Sequence, residues 1–262
     1  MKNDNFLKKI KPEIIKIGDS ALKSFLSFDR SGVILKHKKE IVTKIDKETE
    51  VKIIKVIKKE YPDHAFLGEE FGMSKNKSDY LWIIDPIDGT TNFSIKNPLW
   101  AISIGLSYKG DIIAGIIYAP FLKDVFWAEK GKGAYLNNKS IKISSPKDNN
   151  KLIHTFCHGQ RKRDINFAIN YYKQQKQKAF DCRQLGSASI ELAYVASGRV
   201  DSMVIPGIKA WDVAAGALII REAGGGVYNF KGDNWNLKDK DIIACHPKLK
   251  DMVLKTVKRA MR

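Results

Sequence analysis

Trp82-Ile83-Ile84-Asp85-Pro86-Ile87-Asp88-Gly89-Thr90-Thr91-Asn92-Phe93 decides how this chain is read. An apolar run of the kind that forms a buried strand ends in two carboxylates three residues apart, and glycine and two hydroxyls follow at once. Carboxylates crowded at a strand end repel one another unless a hard cation lies between them. Oxygen ligands of this type suit Mg²⁺ or Mn²⁺ rather than zinc. The stretch is therefore a candidate metal site. Pro86 has no donor N–H and stiffens the turn.

Two distant segments can bring further carboxylates to the same place: Gly68-Glu69-Glu70-Phe71-Gly72 upstream and Trp211-Asp212-Val213-Ala214-Ala215-Gly216 downstream. In this order the three motifs resemble the inositol monophosphatase family. The pattern can be followed from about Lys36 to the strand near Ile243 and is weakest between Ser144 and Ala179. The resemblance implies a layered αβαβα sandwich of the inositol monophosphatase and fructose-1,6-bisphosphatase type, α+β in its first part and α/β in its second. It also implies Mg²⁺-dependent hydrolysis of a small-molecule phosphate monoester, with two or three Mg²⁺ per subunit, Mn²⁺ as a substitute, inhibition by lithium, and a homodimer.

By the same resemblance Asp85 bridges the metals, Glu69 and the backbone carbonyl of Ile87 complete one site, and Asp88 with Asp212 complete the other. Thr90, linked to Asp46, positions and deprotonates the attacking water beside Glu69. Substrate contacts fall to Asp88, Gly89, Thr90, Ala188, Ile205 and Asp212, with the backbone N–H groups at Gly89 and the start of a short helix facing the phosphate. No serine-esterase elbow, cysteine-phosphatase loop or complete Walker A pattern offers a protein nucleophile instead.

Each residue also has a plainer use. Asp46, Asp212 and Ser187 are natural caps for the helices they precede or begin. Glu70 is either a solvated neighbour of Glu69 or a further ligand. Typical members of the family place a glutamate where this chain has Ile205, and isoleucine accepts no hydrogen bond from a ring hydroxyl. The substrate is then inositol 1-phosphate or a similar polyol or sugar phosphate, with fructose 1,6-bisphosphate, 3′-phosphoadenosine 5′-phosphate and histidinol phosphate as alternatives. Lys209 and Arg183 are the cations that would favour a more anionic substrate, and Lys36 is a candidate for a loop folding over the site.

At 262 residues, 44% hydrophobic and 10% aromatic, the chain is long enough to bury a substantial core. The first residues lack the design of a signal peptide, and the longest uncharged apolar stretch, Ile112 to Leu122, is too short to span a bilayer. A cytoplasmic protein with no membrane partner is expected. Three cysteines, Cys157, Cys182 and Cys245, show no paired spacing and argue against a disulfide framework. His154 and His158 face one way on an extended strand and Cys157 the other, which speaks against a soft-metal site there.

Forty-six basic against 29 acidic residues leave a net charge of +17, which attracts anions over long range. The lysines are scattered in short clusters such as Lys36-His37-Lys38-Lys39 and Arg161-Lys162-Arg163, without an RNA-binding signature or interleaved aromatics. A solvated basic surface is the expectation. A nucleic-acid or transcription-complex protein that reuses the fold is the alternative of another class. It is less favoured, because Asp46, Glu69, Asp85, Asp88 and Asp212 together would repel a nucleic-acid backbone locally.

Apolar residues at three-to-four spacing predict a helix over the first segment, at Leu7, Ile10, Ile14, Ala21 and Phe25, and another from Asp46 to before Tyr61-Pro62-Asp63 with Val51, Ile54 and Ile57 inward. Strands are expected at Leu81–Ile84, Ala101–Ser107 and Ile112–Tyr118, then strands and tight turns from Lys123 to Ser144. Helices near Asp164–Gln175, Ser187–Ser197 and Val213–Ala223 alternate with strands near Ser202–Ile205, Gly226–Tyr228 and Asp241–Ala244, and a helix from Lys248 closes the chain. The unpatterned stretch Ser144 to Asn150 divides an N-terminal part, 1–145, from a C-terminal part, 146–262.

Overall fold

The computed structural model describes residues 5–29, 31, 33–37, 40–145, 148 and 151–262. The chain opens with α1 (Phe6–Ser27), the strands β1 (Val33–His37) and β2 (Glu40–Thr43), and α2 (Lys44–Glu60). β3 (Ala65–Gly68), β4 (Gly72–Met73) and β5 (Tyr80–Asp88) lead to the short α3 (Thr90–Ser94). A meander follows: β6 (Ala101–Tyr108), β7 (Asp111–Ala119), β8 (Asp124–Glu129), β9 (Ala134–Leu136) and β10 (Lys139–Ile141). Next come β11 (Ile153–Phe156), α4 (Lys162–Lys176), β12 (Asp181–Arg183), α5 (Ala188–Ala196) and β13 (Ser202–Pro206). The last elements are α6 (Ala210–Glu222), β14 (Gly226–Tyr228), β15 (Asp241–Cys245) and α7 (Lys250–Ala260).

Two sheets carry these elements. The eight-stranded sheet runs β10-β9-β8-β7-β6-β5-β3-β4, antiparallel except where β3 lies parallel to β5. The five-stranded sheet runs β12-β11-β13-β15-β14, with β12, β11 and β13 parallel and β15 antiparallel to both neighbours. Strand side chains alternate between faces, and that alternation sorts the core into layers. Trp82, Ile84, Ile102 and Ile104 pack under Ile10 and Ile14 of α1 and Ile53 and Ile57 of α2. Ile83 and Ile117 point the other way, where α5 and α6 separate them from Met203, Ile205 and Ala244 of the second sheet. Val204, Ile243 and Cys245 face α4 and α7. The order is helix, sheet, helix, sheet, helix, the expected αβαβα sandwich.

The central helices read accordingly. α6 is buried along Val213 to Ile220, as a helix enclosed by apolar surface on all sides must be. Its approach to the first sheet depends on a cross-strand pair of glycines, Gly105 and Gly115. A Cβ at Gly105 would stand 3.0 Å from the Ala214 Cβ, and one at Gly115 would stand 2.9 Å from the Ala215 carbonyl. The helix lies in the groove left by the two missing side chains, and Asp212 lies at its start.

Two expectations need correction. On α2 the inward residues are Ile53 and Ile57, while Val51 is 52% exposed. The helix is rotated so that Asp46, Thr49 and Glu50 share the buried face with them, and that follows from the hydrogen bonds these acids make. The segment Lys36–Thr43, expected as a loop, belongs in part to the antiparallel pair β1 and β2. Lys38, Lys39 and the side chain of Lys36 lie outside the described residues, as do Pro146, Lys147, Asn149 and Asn150 at the expected division between 1–145 and 146–262. Among the described residues no helix is long and apolar enough to cross a membrane. All three cysteines are free thiols, and His154 is buried against the Ser202 hydroxyl at 2.6 Å.

Gly115→Ala is expected to destabilise the protein by about 1–3 kcal/mol, as overpacking does, and to lower activity by shifting the start of α6. The midpoint of urea unfolding beside a turnover assay reads both effects.

Candidate active site

β5 is buried without interruption from Trp82 to Asp88 and pairs with β6 at Asp85↔Ser103 and again at Asp88↔Ala101, with a register shift between. The bulge coincides with Pro86, which has no N–H to give the ladder. The Ile87 N–H instead meets the Asp85 Oδ1 at 3.1 Å. The Ile87 side chain is fully buried among Phe25, Phe93 and Trp100, and its carbonyl lies 3.0 Å from the Thr90 hydroxyl. Gly89 then turns the chain at φ +93°, and a Cβ there would stand 3.0 Å from the Leu99 carbonyl. Only glycine serves at this corner.

Asp46 is the third residue of α2 and forms a capping box with Thr43. Its Oδ2 accepts the Thr43 N–H at 3.0 Å and the Thr43 hydroxyl, and its Oδ1 lies 3.2 Å from the Thr90 hydroxyl, whose single proton goes either to it or to the Ile87 carbonyl. Capping and contact with Thr90 thus coexist in one side chain. Asp212 repeats the design on α6, where its Oδ2 accepts the Lys209 N–H at 2.7 Å. Asp88 reaches the start of α5 and accepts the Ala188 N–H at 3.2 Å, the Ser189 N–H at 2.7 Å and the Ser187 hydroxyl. Ser187 is also the N-cap of that helix. Glu69 follows β3 directly, its N–H bonded to the Ile84 carbonyl at 3.1 Å.

These acids sense one another. Burial raises the Asp85 carboxyl well above its ordinary range, and repulsion from Glu69, Asp88, Asp212 and Asp46 raises it further. Burial also raises Asp88, against the hydrogen bonds from Ser187 and Ser189. Asp46 is pushed up to about 6 by burial, with the Thr43 hydrogen bonds opposing and Glu70 adding to the rise. Among the described residues no three His, Cys, Asp or Glu side chains are drawn close enough together to hold an ion as they stand. Asp46, Asp88 and Asp212 are each turned onto backbone N–H groups instead. The donor set itself, all oxygen and all acidic around the buried Asp85, fits a hard divalent cation.

The other expected residues lie less centrally. Ile205 is 3% exposed and packs in the core between the sheets. Arg183 is paired with Asp181 at 2.6 Å on the edge strand β12. The Lys209 ammonium lies over the Trp211 ring, 5.8 Å from its centre. Two surface hollows of about 420 and 530 Å³ are lined by none of the five carboxylates.

Three supporting residues went unassigned in the sequence. Buried Glu50 accepts the Glu70 N–H at 2.9 Å and the Phe71 N–H at 3.1 Å, fixing the Glu69-Glu70 turn. It is one helical turn beyond Asp46, and that i, i+4 spacing was the available signal. Asn92 ties the Leu99 and Leu185 carbonyls together at 2.6 and 2.8 Å. Fully buried Glu191 accepts the Leu185 N–H at 2.9 Å, the Gly186 N–H at 3.1 Å and the Cys157 thiol at 3.0 Å. It anchors the turn that presents Ser187, Ala188 and Ser189 to Asp88, but nothing in its local sequence marks it.

A family model described as the inositol monophosphatase family matches residues 4–262. The chain is similar to a protein of Pasteurella multocida named Nus factor SuhB, at 37% identity over 92% of this chain and 91% of that one. It is equally similar, at 37% identity over 95% and 96%, to the fructose-1,6-bisphosphatase/inositol-1-monophosphatase of Aquifex aeolicus. Among solved structures, the Thermotoga maritima IMPase superposes with a TM-score of 0.90 at 33% identity, covering 98% of both chains.

Burial pushes the Glu191 carboxyl up to about 8 from an ordinary 4.5. A carboxyl raised on folding costs stability as it ionises, so wild type should lose stability relative to Glu191→Gln between pH 4.5 and 8. Urea midpoints of the two proteins at the ends of that window test the sign. Glu191→Ala, which removes the acceptor of the part-buried Leu185 N–H and of the Gly186 N–H, should cost roughly 1–3 kcal/mol in all at either pH.

Proposed function

The chain belongs to the inositol monophosphatase family and is a phosphoric monoester hydrolase, and from that premise we propose Mg²⁺-dependent hydrolysis of a small polyol or sugar phosphate, with inositol 1-phosphate the first candidate. The observation that carries this reading is the Asp85 carboxylate, buried at the end of β5 with Glu69, Asp88, Asp212 and Asp46 near enough to act on its charge. Such a cluster is costly unless cations neutralise it. Glu69, Asp85, the Ile87 carbonyl, Asp88 and Asp212 are the groups that would hold two or three Mg²⁺, or Mn²⁺ in its place. When bound, the cations neutralise phosphoryl charge, lower the pKa of water and stabilise the departing oxygen.

The chain's own groups handle orientation and the proton. The Thr90 hydroxyl lies between the Asp46 Oδ1 and the Ile87 carbonyl, at 3.2 and 3.0 Å. It can accept a hydrogen bond from the attacking water while donating to Asp46. Asp46, at about 6, is a better proton acceptor near neutral pH than an ordinary aspartate. Glu50 fixes the turn that carries Glu69 through the Glu70 and Phe71 N–H groups. The N–H groups at Gly89 and Thr90 orient the phosphate, and Ala188 borders the leaving group. Ile205 offers that group no acceptor, which supports a broader preference than the inositol ring, including fructose 1,6-bisphosphate or 3′-phosphoadenosine 5′-phosphate. Residues 1–145 and 146–262 act in this reading as two parts of one catalytic unit, in a cytoplasmic homodimer inhibited by lithium.

A second reading has its own support in the relative named Nus factor SuhB. A place in a transcription complex would add to catalysis rather than replace it, since Asp46, Glu69, Asp85, Asp88 and Asp212 are all present.

Phosphate release from a panel of these substrates should vanish in EDTA and return with Mg²⁺ or Mn²⁺ but not with monovalent ions. Asp85→Asn and Asp212→Asn should abolish turnover, whereas Thr90→Ala should lower kcat by about 10²–10⁴ with little change in the Mg²⁺ requirement. A readout independent of turnover is thermal unfolding in EDTA. There Asp85→Asn should be more stable than wild type at pH 8, and the difference should shrink as pH falls and Asp85 protonates. Equal stability at pH 8, or full activity in chelated protein, would contradict the metal assignment.

A further inference from the structure

The cations scattered along the sequence are gathered by the fold. Residues 161–178 and 246–262 contain twelve Lys or Arg against two Asp or Glu, a net +10 of the total +17 in 35 of 262 residues. These segments carry α4 and α7, which pack side by side on one face of the five-stranded sheet through Phe167, Tyr171, Val253 and Val257. The Asn170 amide donates to the Ala260 carbonyl across the seam at 3.3 Å. Because Val253, Val257 and Ala260 turn inward, Lys255, Lys258, Arg259 and Arg262 turn outward. Of the two acids, Asp164 is buried and only Asp251 is exposed.

The layer has relief as well as charge. Lys255, Lys258, Arg259 and Arg262 line the cavity of about 530 Å³, and Tyr172, Lys176 and Arg183 line the one of about 420 Å³. Tyr172, 41% exposed, and Phe180, 70% exposed, lie in or beside the segment 161–178, where Lys173 and Lys178 are exposed and Asp181 pairs with both Lys176 and Arg183. The acidic site is on the opposite side of the same sheet, where Asp88 and Asp212 meet the starts of α5 and α6.

We propose that the outer face of α4 and α7 binds single-stranded nucleic acid, with the lysines and arginines tracking the phosphate backbone and Tyr172 and Phe180 stacking on bases. The proposal rests on this charge layout and not on the transcription-complex reading. Concentrated cations draw a polyanion by releasing its counterions. Exposed rings beside a basic groove favour unpaired bases over a duplex or a lipid surface.

The test is fluorescence anisotropy with a labelled mixed-sequence RNA of about 20 nucleotides, long enough to cover one such groove, over a range of salt concentrations. Combining Lys255→Ala, Lys258→Ala and Arg259→Ala should weaken binding at least tenfold and reduce the salt slope by about 2, at roughly 0.7 per lost phosphate contact. Phosphatase activity should not change. Lys23→Ala, Lys75→Ala and Lys77→Ala together, with the same loss of charge elsewhere on the surface, should weaken binding less than about twofold. Tyr172→Ala with Phe180→Ala should weaken binding roughly tenfold and leave the slope unchanged. Equal losses in the two charge variants would overturn the proposal, as would binding of duplex or anionic vesicles as tight as that of the single strand. Conversion of a dimer to a monomer by the aromatic pair, with RNA affinity intact, would reassign that rim to contact between copies and remove the single-strand preference.

Discussion

Repulsion at Asp85 is the constraint on which the structure turns. A carboxylate removed from water is costly, and one removed from water beside Glu69, Asp88, Asp212 and Asp46 is costlier still. A strand end optimised for stability alone would hold apolar residues there. The chain tolerates the cluster because three separate parts of the backbone offer its members N–H groups: the start of α2 to Asp46, of α5 to Asp88 and of α6 to Asp212. Each helix start is positive in potential and short of hydrogen-bond acceptors, so each favours an anion.

The helices must then be held where their first turns converge. For α6 the glycine pair at Gly105 and Gly115 admits the helix against the first sheet. For α5 the buried Glu191 fixes the preceding turn. For the Glu69-Glu70 corner, Glu50 fills the space that a side chain on Gly68 would need, since a Cβ there would fall 1.8 Å from the Glu50 carboxylate. Acids with no direct part in the chemistry thus support acids that have one. A cation at the centre would offset repulsion and also draw together groups that at present face their own helices. Affinity for metal and stability of the metal-free fold are therefore opposed at Asp85.

Charge is distributed on the same logic of separation. The acidic groups lie at the end of β5 and the starts of α2, α5 and α6, while the segments that carry α4 and α7, residues 161–178 and 246–262, hold +10 of the net +17. A small phosphate can be attracted by the whole basic surface and still be held at an acidic, metal-binding centre, because long-range steering depends on net charge and binding on the local set.

Much of this was legible in the sequence because it is local. The strand ending in Asp85-Pro86-Ile87-Asp88-Gly89 is specified by apolar content, a missing N–H and a residue free to take positive φ. The helix periodicities and the turn chemistry of the meander are of the same kind. The rotation of α2 was misjudged because Ile53 and Ile57, not Val51, share a face with Asp46 and Glu50, and the bonds that set that face come from Thr43, Glu70 and Phe71. Glu191 and Asn92 were invisible for a related reason, since their partners are remote in sequence or are backbone groups of no fixed type. The lysines and arginines of α4 and α7 are far apart in sequence, and only helix packing makes them one surface. Sequence alone determined most of the elements, the acidic motifs and the family they resemble, because short-range sterics and side-chain chemistry decide those, while short strands such as β3 and β12 carried no such signal. Which oxygens face one another, and which cations share a face, were decided by tertiary packing, because these are contacts between segments that only a closed core brings together.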